Sequence, residues 1–247
     1  MTISVVIPTK NRSEQFEKCL KSIHRQTART EIIVIDCSDN DKWEYDLNNP
    51  EGVDEYYHLS PDPGFTDAWR LGAAMATGDL LHFALDDDWK EPTFLEECAA
   101  MMLPDVGMVF TNATIHFPDG TTRKNFDSLD GGGYYKSEEI EKSWLSMPMT
   151  ISPSCYMIRR EDALKYLHPG KIPFTKYASP VNEVFMGLAT LTRYPRVGVI
   201  DKCLAHFSAG DDCYTMSHMN GGPEKYQKMI RDYATIKQAY LNLKSGL

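Results

Sequence analysis

The chain has 247 residues, 42% of them hydrophobic, with a formal net charge of −9, so it can bury a large core and has no basic surplus for a phosphate backbone. Nucleic acid is therefore not expected as a partner, and no apolar run approaches the ~20 residues that span a bilayer, so no transmembrane segment is expected. Six scattered cysteines without a CxxC pair, and a start at Met1 to Pro8 without a basic leader region, predict reduced thiols in a cytoplasmic protein.

Ile3-Ser-Val-Val-Ile-Pro8 is a β-branched run stopped by proline, and Thr9 to Ser13 is a polar loop able to cap a following helix. In Glu14 to Arg25 the residues Phe16, Cys19, Leu20 and Ile23 fall on one helical face. Glu31 to Asp36 is a second buried strand, again ending in a carboxylate. Such a βαβ unit crosses over right-handed and binds its ligands beyond the C-terminal strand ends. Asn48 to Pro63 is turn-rich, with Tyr56 to Leu59 as a short strand. The segment Phe65 to Ala76 predicts a helix with Ala68, Leu71, Gly72 and Met75 facing the sheet and Arg70 turned from it.

Leu80 to Leu85 reads as a strand buried on both faces that ends in Asp86-Asp87-Asp88. In an extended chain Asp86 and Asp88 point the same way and offer oxygens to a hard divalent ion, Mg²⁺ or Mn²⁺, shared with phosphate oxygens. The alternative is a capping turn, because Asp88, Glu91 and Pro92 also suit a helix start. Thr9, Asn11, Asp36, Ser38 and Asp86 to Asp88 would line one rim.

Glu91 to Met102 predicts a helix, Val106 to Thr111 a strand, and Ile115 to Thr122 a hairpin around Pro118-Asp119-Gly120. Ser128 to Tyr135, with Gly131 to Gly133, reads as a flexible loop before a helix over Ser137 to Leu145. Cys155 to Ile158 is a strand, Glu161 to Leu167 a helix, Ile172 to Asn182 irregular, and Glu183 to Thr190 a helix. Val197 to Ile200 and Cys203 to Phe207 are short strands, and Ser208 to Gly222 a polar loop. Pro223 to Leu243 is an amphipathic helix whose Tyr226, Met229, Ile230, Tyr233, Ile236, Tyr240 and Leu243 suit packing on the core or, in a homodimer, on a second copy.

Ile3 to Arg12, Glu31 to Asp36 with Ser38, Gly64 to Gly78, and Leu85 to Asp88 together resemble, in order and spacing, the GT-A fold glycosyltransferases of family 2. The likeness is specific over residues 1–110 and loose beyond. It implies an α/β fold: a Rossmann-like, mostly parallel central sheet flanked by helices, with a less regular C-terminal region on the acceptor side. One domain over 1–247 is implied, with a donor half at 1–110, an acceptor half at 111–222 and a C-terminal helix at 223–247. The activity implied is transfer of a sugar from a nucleoside-diphosphate donor, UDP-linked by default, to a glycan or other hydroxyl acceptor, with Mn²⁺ or Mg²⁺.

Carried over from the resemblance, Pro8, Thr9, Asn11, Arg12, Asp36 and Ser38 would hold the nucleoside, with Asp86 and Asp87 beside it and Arg70 reaching a phosphate by position. Asp86 and Asp88 would hold the metal, with His206 completing the shell and His218 second. Glu183, which opens an apolar helix after Ser179-Pro-Val-Asn182, would be the base of an inverting transfer, although an acid at a helix start is also a plain dipole partner. The chain departs from the family pattern at Lys10, where a tyrosine often flanks the base, at Cys37, where a second aspartate often follows Asp36, and at Trp69-Arg70, in place of Arg-Asn. Those departures keep open a nucleotide-sugar binder without activity. A phosphohydrolase of the HAD type would need a threonine four residues beyond its aspartate, where Lys90 stands. A nucleotidyltransferase would need a Gly-rich, Lys-bearing opening loop, absent from Ile7 to Ser13.

Overall fold

The structure is a computed structural model that describes residues 1–39, 52–126, 131–147, 151–168, 182–210 and 213–246. Its frame is one sheet of ten strands, ordered β3-β2-β1-β4-β9-β6-β10-β5, with β7 on β6 and β8 on β10. The strands are β1 (Ile3–Thr9), β2 (Glu31–Asp36), β3 (Glu55–His58), β4 (Leu80–Phe83), β5 (Trp89–Lys90), β6 (Val106–His116), β7 (Thr122–Lys124), β8 (Gly133–Lys136), β9 (Tyr156–Arg159) and β10 (Arg196–Ser208). The helices are α1 (Ser13–His24), α2 (Phe65–Met75), α3 (Phe94–Ala100), α4 (Ser137–Ser146), α5 (Arg160–Tyr166), α6 (Asn182–Leu191), α7 (Tyr214–Met219) and α8 (Pro223–Ser245).

The first half is the expected βαβ frame. β1 is buried along its whole length and pairs in parallel with β2 (Val6 with Ile33) and β4 (Val6 with Phe83). β-Branched residues suit such a strand, because both faces pack and stiff side chains lose little freedom there. α1 returns the chain by burying Phe16, Cys19 and Ile23. Because the strands run the same way, their C-terminal ends and the loops after them share one sheet edge.

α2 lies closer to the sheet than any larger residue would allow. A Cβ on Gly72 would stand 2.3 Å from Val6 Cγ1 and 3.3 Å from Ile35 Cγ1. Gly72→Ala should therefore destabilise the fold by about 1–3 kcal/mol, the cost of overpacking, and a melting temperature equal to the parent's would contradict this packing. The buried face runs through Thr66, Ala68, Trp69, Gly72 and Ala73. Met75, expected to be inward, is 38% exposed.

Further differences from the sequence reading begin at the end of β4. β4 stops at Phe83, and Asp86 to Asp88 sit in a turn closed by Asp88 N–H donating to Leu85 O at 3.1 Å. Trp89–Lys90 is a short strand on β10, so the helix expected from Glu91 begins only at Phe94. The two short strands around Asp201 form one irregular strand, β10, with register shifts against β6. Tyr214–Met219, in the stretch read as a polar loop, is helical. Gly133 to Tyr135, read as loop, pair with β10. The stretch 172–181 and residues 128–130 lie outside the described residues.

α8 buries Met229, Tyr233, Ile236, Ala239 and Tyr240 within the chain itself, and Gly246 closes it in a left-handed conformation that glycine adopts without strain. All six cysteines are free. Among the described residues no helix is long and apolar enough to cross a membrane.

Candidate active site

The turn after β4 is bound to the loop after β1. Thr9 Oγ1 donates to Asp86 Oδ2 at 2.9 Å, and one Arg12 nitrogen donates to Asp86 Oδ1 and to Asp87 Oδ2, both at 3.1 Å. Burial and the Asp87 charge push the Asp86 carboxyl up to about 6, against the pull of Arg12 and Thr9. Asp88, 5% exposed, is pushed up further by burial and by Asp87. The Lys90 charge, the Ser154 hydroxyl and the Ser208 backbone N–H oppose that shift. Lys90 itself is buried and donates to Ser154 Oγ at 2.7 Å.

These groups form one wall of a cavity of about 830 Å³ that Pro8, Thr9, Arg12, Asp86, Asp87, Asp88 and Glu183 all line. Glu183 stands in the first turn of α6, and its carboxyl is pushed up to about 8 by burial. The starts of α6 and α2 are joined by Asn182 Nδ2 donating to Thr66 Oγ1 at 3.3 Å. Phe65 and Trp69 of α2 line it too, and Ile115, Phe117, Phe207, Met216 and Met219 add apolar lining. The volume is sufficient for a sizeable ligand.

Six expected residues do not line the cavity. Asn11, at φ 56°, donates its N–H to Ser38 Oγ at 2.8 Å and exchanges side-chain bonds with Asp39. Asp36 is fully buried, accepting from the Ser38 N–H and the Tyr56 hydroxyl, each at 2.8 Å. Asp36, Ser38 and Asn11 thus brace the β1 loop against the β2 loop. Arg70, expected at a phosphate, donates to Leu167 O at 2.9 Å.

His206 is also outside the lining. Its Nε2 shares a hydrogen bond with Glu91 Oε1 at 2.8 Å and its Nδ1 one with His116 Nε2 at 3.0 Å, while the ring stacks on Trp89. Both ring nitrogens are engaged away from the acidic turn. His218, within 3.4 Å of Ser217 Oγ, is likewise outside the lining.

Lys10 and Cys37, noted only as departures, do line the cavity, with Lys10 Nζ 2.7 Å from Asp62 Oδ2. Asp62 and the α7 methionines had no sequence signal, because they reach the cavity through tertiary folding.

The residues fit a hard divalent ion that brings part of its own shell. Among the described residues no three His, Cys, Asp or Glu side chains are preassembled around one point, and both Asp86 oxygens already have donors. Asp88 is the buried carboxyl, held toward its protonated form, that a cation would ionise. A site of one or two carboxylates completed by ligand phosphate oxygens and water is the usual Mg²⁺ arrangement.

The profile of the family described as Glycosyl transferase family 2 matches residues 4–167. Among solved structures, S. aureus TarS 1-349 in complex with UDP-GlcNAc superposes with a TM-score of 0.68 at 18% identity, covering 96% of this chain and 66% of that one. The complex of the same fragment with UDP gives 0.62 at 16% identity, covering 96% and 65%. For S. aureus TarS itself the values are 0.65 and 16%, and the chain covers 39% of its length. At these identities the likeness is one of fold. None of the curated proteins compared matches the chain.

Proposed function

Because the chain belongs to glycosyl transferase family 2, we propose that it moves a sugar from a UDP-linked donor to a hydroxyl acceptor with inversion, using a divalent ion. What supports this reading is one juxtaposition: the ends of two parallel strands bring Thr9, Arg12 and the acidic turn to one wall of a cavity that Glu183 also lines. The solved TarS fragments with UDP and UDP-GlcNAc share the fold, which is why uridine is the base we propose.

Pro8, Thr9, Arg12 and the loop braced by Asn11, Ser38 and Asp36 bind the nucleoside. Mn²⁺ or Mg²⁺, held by Asp88 with Asp86, would neutralise charge developing on the leaving diphosphate. Glu183 takes the proton of the acceptor hydroxyl as its oxygen attacks the anomeric carbon, and the bond to the diphosphate oxygen breaks with its electron pair. A base whose carboxyl titrates near 8 holds protons tightly enough to take one and is substantially ionised at slightly alkaline pH. The apolar part of the lining is left for the acceptor.

Thermal melting with UDP-, GDP-, dTDP- and CDP-sugars and Mn²⁺ tests the donor. A ligand at a hundred times its Kd adds about 2.7 kcal/mol to native-state stability. Stabilisation by UDP-sugars alone is expected, and equal shifts with all four would overturn the uridine assignment. His206→Ala should leave that Mn²⁺-dependent shift at its parental size, since its ring is engaged by Glu91 and His116. Loss of the shift would return the histidine to the metal.

A further inference from the structure

Two buried hydrogen-bond donors close to Glu183 have no partner: the Trp69 indole N–H and the Tyr156 hydroxyl. Leaving such a group dry and unpaired costs about 1–3 kcal/mol, and Trp69 and Tyr156 are only 1% and 2% exposed. The sheet register puts them on one face. Leu81 is opposite Ile158, so Phe83 and Tyr156, each two residues along its strand, project to the same side. Trp69 stacks on Phe83 with ring centroids 4.6 Å apart. α6 covers this same side, because Gly187 lies against Met108, and Met108 is in register with Ile158. Glu183 is one turn of α6 earlier, and its charge acts on the Tyr156 hydroxyl.

We propose that Tyr156 and Trp69 are positioning residues for Glu183, a pair of donors that turn to the carboxylate when it ionises and fix it toward the acceptor hydroxyl. The inference rests on the reading of Glu183 as the base. Neither donor bonds the Glu183 carboxyl in this arrangement, whereas ionisation of that half-buried carboxyl would favour hydrogen bonds from both. Trp69 stands where the family pattern has arginine, so the device belongs to this chain and uses neutral donors that leave the charge on the base.

The charged and titratable groups on the elements around α6 do not take this role. Arg70 on α2 is held by Leu167 O, Asp232 on α8 by Lys228, Glu141 on α4 by Lys244, and Lys237 on α8 by Met147 O. His168, after α5, lies edge-on to Phe185. On α5, Arg160 donates to Ala73 O and Asp162 pairs with Arg193. Tyr233 on α8, Asp67 on α2 and the cavity-lining Lys10, Arg12, Asp62, Asp86 to Asp88 and Arg123 lie around the same region, and none of these contributes to the Glu183 shift, which burial causes.

The test is a double-mutant cycle on the ligand-free full chain. Melting temperatures of the parent, Tyr156→Phe, Glu183→Gln and the double variant are followed from pH 5 to 9, where the parent-minus-Gln difference reports the titration of Glu183 by linkage. Tyr156→Phe removes only an unpartnered hydroxyl, so at pH 5 it should melt at or above the parent. With the hydroxyl gone, the Glu183 titration should move up by about one pH unit, the worth of one hydrogen bond to a carboxylate. Trp69→Phe should move it in the same direction. An unmoved titration in both variants would overturn the inference whether or not Glu183 is the base. Parental turnover in Glu183→Gln, read as UDP release from UDP-GlcNAc with Mn²⁺, would remove the base and the positioning role together.

Discussion

Asp88→Asn should melt higher than the parent at pH 8 without ligand, and lose nearly all of the stabilisation that UDP with Mn²⁺ gives the parent. The first half follows from linkage. Burial and Asp87 raise the folded-state pKa of Asp88 above its ordinary 3.8, so the folded protein keeps a proton that the unfolded chain releases. The stability this proton carries is complete below pH 4 and is lost as pH rises through the folded-state pKa. Asparagine mimics the protonated side chain, so the gain over the parent should be absent near pH 4 and grow toward pH 8. The second half follows because a divalent ion reverses the sign: it favours the carboxylate that burial disfavours. At a hundred times Kd the parental gain is about 2.7 kcal/mol, and in the variant it should fall to near zero. If Asp88→Asn bound UDP and Mn²⁺ like the parent, the acidic turn would be a structural turn and the metal would have to be sought elsewhere.

What could be read from the sequence was what local pattern determines. β-Branched runs closed by polar residues placed β1 and β2, a short apolar run ending in carboxylates placed β4, and helical periodicity placed α1 and α8, because each pattern is written in neighbouring residues. The parallel order of β1, β2 and β4 then followed from connection rules, and with it the meeting of Thr9, Arg12 and the acidic turn. Orientation at the next level of detail was not legible. Arg70 and His206 have suitable chemistry, yet one turns to Leu167 O and the other is taken by Glu91 and His116. Their partners lie 97, 115 and 90 residues away in the chain. β5 escaped notice because two residues carry no period, and it exists only because β10 is there to pair with it. The unpaired hydroxyl of Tyr156 was equally invisible, since a tyrosine in an apolar strand normally finds a partner.

Replacing Glu183 by glutamine should lower turnover by roughly 10² to 10⁴, the usual worth of a general base, while UDP-sugar and Mn²⁺ affinity stay within about twofold of the parent. Glutamine keeps the size and hydrogen-bonding reach of the side chain but cannot take the proton, and it sits on α6 in the lining that Thr9 and Arg12 share. The pH profile supplies a second reading. With its carboxyl raised from an ordinary 4.5 to about 8 by burial, the parent should gain activity as pH rises toward 8, because only the ionised form is a base. The same shift makes the folded state hold a proton between those values, so Glu183 costs stability as pH rises through the window, and the glutamine variant should be at least as stable as the parent at pH 8. Slower turnover with unreduced stability separates loss of chemistry from loss of fold. The product of the parent enzyme should carry the anomeric configuration opposite to the donor's, read by NMR coupling constants. Near-parental turnover in the variant would take Glu183 out of the reaction, and a retained configuration would sink the inverting assignment even with the residue essential.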